Sequence, residues 1–301
     1  MFYLLLAIVC SALIALIFKY TENAGTNRYV ITSANYFIAF MVSLIMIFSK
    51  KLLIGLDTSQ SFFKEVKLLN SGYVFSPYSS IIWGLLIGVL FGSFFFLSFI
   101  FYQKSVKENG VSTSGAIAKL GILIPMIFSI VLWKEIPSPL QWLGLSLALV
   151  SILIVNLSEK TFKRLHLNLG LLLLFIFGGL AEFSSKIYQK YALSEYKDFF
   201  LFTIFFTAFI ISIFYTKKTK AKIAKKDIFI GFSVGIPNLF SSYFLILSLD
   251  TIKTAVAFPL YSAGSIILIS IGGYLIFKER INTNAKVAIF LTIIALILIN
   301  L

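Results

Sequence analysis

The segment KERINTNAKVAIFLTIIALILINL, Lys278–Leu301, decides the fold, because KEIPSPLQWLGLSLALVSILIVNL, Lys134–Leu157, precedes it by 144 residues and aligns with it without a gap. Both open on Lys-Glu, close on Asn-Leu and hold an apolar run between. About 17–25 such residues cross the hydrocarbon of a bilayer as one helix. Recurrence at a fixed long interval marks an internal repeat. The correspondence runs further back. Gly84 and Gly88 form a GxxxG pattern, Gly231 and Gly235 form another, and Lys19 parallels Lys186. Such glycine pairs favour close helix packing over substrate contact.

Working outward, spans are predicted at Phe2–Tyr20, Tyr29–Ser49, Ser79–Tyr102, Gly110–Trp133, Leu140–Leu157, Leu167–Tyr191, Phe199–Tyr215, Asp227–Leu249, Thr254–Phe277 and Asn284–Leu301. The expected fold class is an all-α polytopic membrane protein with ten transmembrane helices in two five-helix repeats. Residues 1–157 form the first repeat, 158–166 a polar connector and 167–301 the second. Five is odd, so the second repeat must lie inverted, an architecture whose binding site sits near the midplane between repeats. The segment Lys50–Tyr78 is long for a connection, and Phe62, Phe63, Val66 and Leu69 have the spacing of a short interfacial helix.

Composition agrees. Charged residues make up 13% of the 301 and hydrophobic ones 59%, against about 25% charged in a soluble domain; mean hydropathy is +0.97. The net charge of +14 does not imply nucleic acid, because most Lys and Arg fall in short connections where they meet lipid headgroups. Cys10 and His166 are single, which leaves no disulfide framework and no metal cluster. The apolar run from Phe2 lacks a basic leader and a small-residue cleavage site, so it reads as a retained first helix.

Ionisable groups within spans single out the candidate site. Each costs roughly 2.5–3.5 kcal/mol on insertion scales and marks function by default. Glu182 lies in the sixth span, where it would bind a proton or a substrate amine, or pair with Lys186 one turn on. Lys119 lies in the fourth span with no acid three or four residues away, so it would hold a carboxylate or phosphate, pair with another helix, or snorkel. Pro125, Pro237 and Pro259 interrupt spans and are expected to kink them. Asn238, beside Pro237, and Asn35 in the second span are substrate hydrogen-bonders or interhelical glue. Glu135 and Glu279 read as interfacial or gate-side charges.

The stretch AVAFPLYSAGSIILISIGGYLIFKERI, from Ala255, with the closing IALILINL, resembles the third and fourth helices of the small multidrug resistance transporters. GGLAEFSSKIYQKY, Gly178–Tyr191, is similar to their first helix. Nearly the whole chain thus resembles the drug/metabolite transporter superfamily in its ten-helix EamA-like form. The resemblance places Glu182 at the proton- and substrate-binding glutamate, with Lys190 eight residues on. It places Tyr261 at a cavity-lining aromatic, and Phe258 shares that face. In the first span KYTEN, Lys19–Asn23, sets the register and puts Ser11 where a second glutamate would stand. One carboxylate cannot rebuild the paired site of the small relatives, which argues against polyspecific cation export.

These readings favour a secondary transporter of a small zwitterion such as an amino acid, working by alternating access, with export implied by the resemblance. The alternatives are a proton-coupled exporter of lipophilic cations and, in another class, a membrane assembly or scaffold protein. An enzyme is not expected: the spans hold no His and no Asp pair. No GxxxxGK[ST] motif is present, so ATP is not the direct energy source. No cofactor is expected beyond coupled protons. The expected partners are the substrate and the lipid of a bacterial inner membrane, and fused repeats suit a functional monomer. The resemblance implies both termini in the cytoplasm, whereas odd-numbered connections carry 16 Lys and Arg against 8 in even-numbered ones, which points the other way.

Overall fold

The structure, a computed structural model, describes residues 1–20, 25–57, 61–69, 72–109, 111–156, 169–219, 222–278 and 283–300. The connector 158–166 with His166, and Glu279, lie outside these residues. The described residues form helices joined by turns and irregular connections, with no strands among them. The helices are α1 (Phe2–Tyr20), α2 (Arg28–Ser49), α3 (Phe62–Leu68), α4 (Pro77–Asn109), α5 (Val111–Leu120), α6 (Leu123–Trp133), α7 (Pro139–Asn156), α8 (Leu169–Tyr191), α9 (Lys197–Lys218), α10 (Lys225–Leu249), α11 (Thr254–Phe277) and α12 (Thr283–Asn300). Seven segments are long and apolar enough to cross a membrane, within α1, α2, α4, α8, α9, α10 and α11. Three shorter apolar stretches, Ile117–Trp133, Pro139–Ile154 and Lys286–Ile299, fall where the fourth, fifth and tenth spans are expected.

The fourth span is broken beside Pro125. The helix stops at Leu120 and resumes at Leu123, so Pro125 sits in the first turn of α6. Pro125 has no N–H to donate to the Gly121 carbonyl four residues back, and its ring crowds that carbonyl, so the break falls where a proline at 125 puts it. The break itself is at Gly121-Ile122, where the Ile124 N–H donates to the Gly121 carbonyl at 3.0 Å. Pro237 and Pro259 stand inside α10 and α11, and both helices continue through them.

The chain folds as two compact units, one of residues 1–12, 97–183 and 251–301, the other of residues 13–96 and 184–250. Each unit joins segments that are far apart in the sequence. In the first unit α7 lies antiparallel to α12. Thr292 Oγ1 donates to Ser151 Oγ at 2.9 Å, and Gln141 Nε2 donates to the Ile299 carbonyl at 3.4 Å. These are the helices of the two aligned segments that open this section. Their repeated lysines also match: Lys134 and Lys278 each end the preceding helix in the left-handed region, at φ 56° and 54°. Each donates its N–H five residues back, to Ser129 and to Gly273. In this unit α11 is buried on every side from Thr254 to Ser265, as a helix apolar around its whole circumference must be.

In the second unit α2 lies antiparallel to α9. Ser33 Oγ and Thr216 Oγ1 are 2.9 Å apart at one end, and Lys50 meets Asp198 at the other. Both GxxxG pairs work as packing surfaces here, as their spacing predicts. A Cβ on Gly88 would fall 2.6 Å from Thr203 of α9, and one on Gly231 would fall 2.6 Å from the Ile31 carbonyl of α2. Gly84 likewise faces Phe200 of α9, and Gly235 faces Asn35 of α2. The glycines of α4 therefore seat on α9, and those of α10 seat on α2.

Candidate functional site

Two backbones cross in the first unit with no side chain between them. A Cβ on Gly179 of α8 would sit 2.5 Å from the Gly121 carbonyl and 2.8 Å from Ile124 Cβ. Only glycine fits such a crossing. The same helices carry a buried cluster of Ile117, Leu171 and Leu174, against which Phe101, Tyr102, Ala118, Leu120 and Phe175 pack. Phe183 closes the other side, stacked on Phe128 at 5.0 Å and tilted against Trp133 at 5.7 Å.

The crossing aligns the two buried charges. Lys119 lies two residues before Gly121, and Glu182 lies three residues after Gly179. Each is half-buried and each feels the other's charge. Among the described residues, no hydrogen bond and no ion pair within 4.0 Å joins them. Both keep intermediate accessible surface. An ammonium and a carboxylate held apart in this way can bind the two ends of one zwitterion.

The other candidates divide between the units. In the first, Ser11 on α1 is half-buried, Phe258 has no accessible surface, and Tyr261 is 9% exposed. Both aromatics are buried in this structure. In the second, Asn238 Nδ2 donates to Asn35 Oδ1 at 3.1 Å, so these two meet each other across the α2–α10 contact that Gly235 makes close. Lys186 is buried and donates to Gln189 Oε1 at 3.0 Å. Gln189 and Ser194 both donate to Asp250. Glu135, in the first unit, accepts the Thr254 N–H at 2.7 Å, which places a carboxylate at the positive end of α11.

Sequence reasoning missed a polar cluster in the second unit. Lys50 Nζ is 2.6 Å from Asp198 Oδ2 and donates to Tyr243 Oη at 3.3 Å. Lys197 Nζ stands 4.2 Å from the Tyr243 ring centre, the range of a cation–π contact. Burial works against the Lys50 charge, but the Asp198 hydrogen bond and charge, followed by those of Tyr243, outweigh it and hold the ammonium above its ordinary value. The four residues come from both repeats, and no local spacing announces them.

A model of the EamA-like transporter family matches residues 1–157. No curated protein matches the chain in sequence. A solved structure titled only "Crystal structure of protein" is similar, with a TM-score of 0.70 at 13% identity over 99% of this chain and 96% of that one. At that identity the likeness concerns the fold alone.

Proposed function

This chain belongs to the EamA-like transporter family and is an integral, multi-pass membrane transporter; from that premise we propose that it carries a small zwitterion, such as an amino acid, by alternating access around Lys119 and Glu182. One observation carries the reading: the two opposite charges share a unit, sense each other and keep accessible surface without closing into an ion pair. Lys119 would hold the carboxylate and Glu182 the amine. Desolvation makes each contact strong, and a ligand with only one charge would leave the other group uncompensated.

Several features support two inverted repeats as the frame for alternating access. Matched helices α7 and α12 pack antiparallel, as do α2 and α9. The repeated lysines cap their helices with the same backbone geometry. The two GxxxG pairs seat on counterpart helices of the opposite repeat. Export, a bacterial inner membrane, proton coupling and a functional monomer are further parts of this proposal.

The test is flux in proteoliposomes loaded with candidate amino acids, with and without an imposed pH gradient. Accumulation of a zwitterion that stops in Glu182→Gln and in Lys119→Met supports the reading. Drug efflux that needs Glu182 but tolerates Lys119→Ala would establish the lipophilic-cation exporter instead.

A further inference from the structure

Between α2 and α4 the chain carries four lysines, Lys50, Lys51, Lys64 and Lys67, and two acids, Asp57 and Glu65. The structure disposes of them unequally. Glu65 is turned inward and is 1% exposed. Both its oxygens are occupied by Ser76, which donates its N–H at 2.8 Å and its hydroxyl at 2.7 Å. The carboxylate thereby caps the start of α4. Phe62, expected among the lipid-facing residues of this helix, is also turned inward and stacks on Phe75 at 5.3 Å. Phe75 in turn donates its N–H to the Tyr191 carbonyl at 2.9 Å. The short helix α3 is thus fixed at two points.

What the connection leaves outward is basic and apolar. Lys51, Lys64 and Lys67 are exposed. So are Phe63 at 77%, Ile54 at 74% and Leu53 at 52%. Lys50 is spoken for by Asp198, which leaves Lys51 next in sequence to Leu53 and Ile54, and Lys64 and Lys67 on the same short helix as Phe63, all exposed. Because α2 and α4 both contain membrane-crossing segments, their connection emerges at a membrane surface. A soluble anion would satisfy the lysines and leave Phe63 and Ile54 in water. A neutral lipid would do the reverse.

We propose that this connection is a docking surface for anionic phospholipid, with Lys51, Lys64 and Lys67 on the headgroup phosphate and Phe63, Ile54 and Leu53 among the acyl chains. A lysine near an anionic membrane surface contributes about 1 kcal/mol, so three give a preference for anionic over neutral lipid of tenfold or more. The surface makes no use of Lys119 or Glu182, and the inference rests on membrane insertion alone, not on the zwitterion reading.

The experiment uses the purified full chain in detergent, with dioleoyl-phosphatidylglycerol and dioleoyl-phosphatidylcholine as probes. Lipid retention is read by native mass spectrometry and the shift in Tm by thermal unfolding. The parent should retain phosphatidylglycerol at least tenfold over phosphatidylcholine, and added salt should reduce the difference. Lys51→Gln/Lys64→Gln/Lys67→Gln should bring the ratio close to one while the lipid-free Tm holds. Phe63→Ser should lower retention of both lipids alike. The proposal is overturned if the triple variant keeps the parent's preference, if Phe63→Ser changes neither retention, or if soluble glycerol 3-phosphate raises Tm as much as phosphatidylglycerol does. Since no transport is measured, these outcomes are separate from success or failure of the proposed substrate.

Discussion

Two lysine–carboxylate pairs in this molecule use the same chemistry in opposite ways. Lys50 and Asp198 close to 2.6 Å, with the aspartate side chain 1% exposed and the lysine 35%. Lys119 and Glu182 sense each other without closing and keep accessible surface. A closed pair spends its charge on holding the helices it joins. An open pair leaves that charge for a ligand. The difference follows from local structure. Lys50 caps the C-terminal end of α2 on a long, free stem, whereas Lys119 and Glu182 ride on backbones fixed against each other at Gly121 and Gly179.

The sharpest way to break the comparison is to neutralise the open pair. Glu182→Gln or Lys119→Met should weaken binding of a zwitterion by about 2–5 kcal/mol, the cost of leaving a desolvated partner charge alone. That is roughly 30-fold or more in Kd. Tm should change little, because this pair holds no helices together. The closed pair should respond in the reverse sense. Lys50→Ala strands a buried aspartate and should cost about 1–3 kcal/mol of stability, below the 3–5 kcal/mol of a fully buried pair because water screens the lysine. Asp198→Ala should cost less, and a double-mutant cycle read by denaturation would expose their coupling.

Gly179→Ala probes what keeps the open pair open. Its new methyl would press on the Gly121 carbonyl, which cannot rotate away, at an overpacking cost of about 1–3 kcal/mol. Ligand affinity should fall with it as the two charges shift. Gly178→Ala would meet only Ser98 Oγ at 3.3 Å and is the control, expected near neutral. If both alanines behave alike in unfolding and binding, the crossing does not position the charges.

The smallest effect is on pH. The Lys50 ammonium is held above its ordinary value of 10.5. A raised lysine contributes stability that is fully present below its unfolded value and is lost as pH rises through its folded one. Stability from this source should therefore be flat from neutral pH to about 10 and decline beyond 10.5, a decline absent in Lys50→Ala. Thermal unfolding across that range checks it.

Much of this was legible in the sequence because hydrocarbon imposes length and apolarity on anything that crosses it. Span positions, the glycine packing pairs and the depth of Lys119 and Glu182 follow from that constraint alone. The break at Gly121 falls four residues before Pro125, where a proline's missing N–H and its ring act, whereas Pro237 and Pro259 stand in helices that continue through them. Phe258 and Tyr261 carry no mark in the sequence that sets their depth, and the fold buries both. Glu65 looked like an ordinary acid on a surface helix, and only the fold turns it onto Ser76. The Lys50, Asp198, Tyr243 and Lys197 cluster joins residues nearly two hundred positions apart, beyond the reach of any local pattern.

The central claim is best tested by equilibrium binding to the purified chain of a free amino acid, its amide and its N-acetyl derivative. The amide keeps only the amine charge and the N-acetyl form only the carboxylate. The zwitterion should bind at least tenfold more tightly than either, with the advantage over the amide lost in Lys119→Met and the advantage over the N-acetyl form lost in Glu182→Gln. Equal binding of amide and zwitterion, unchanged by Lys119→Met, would contradict it.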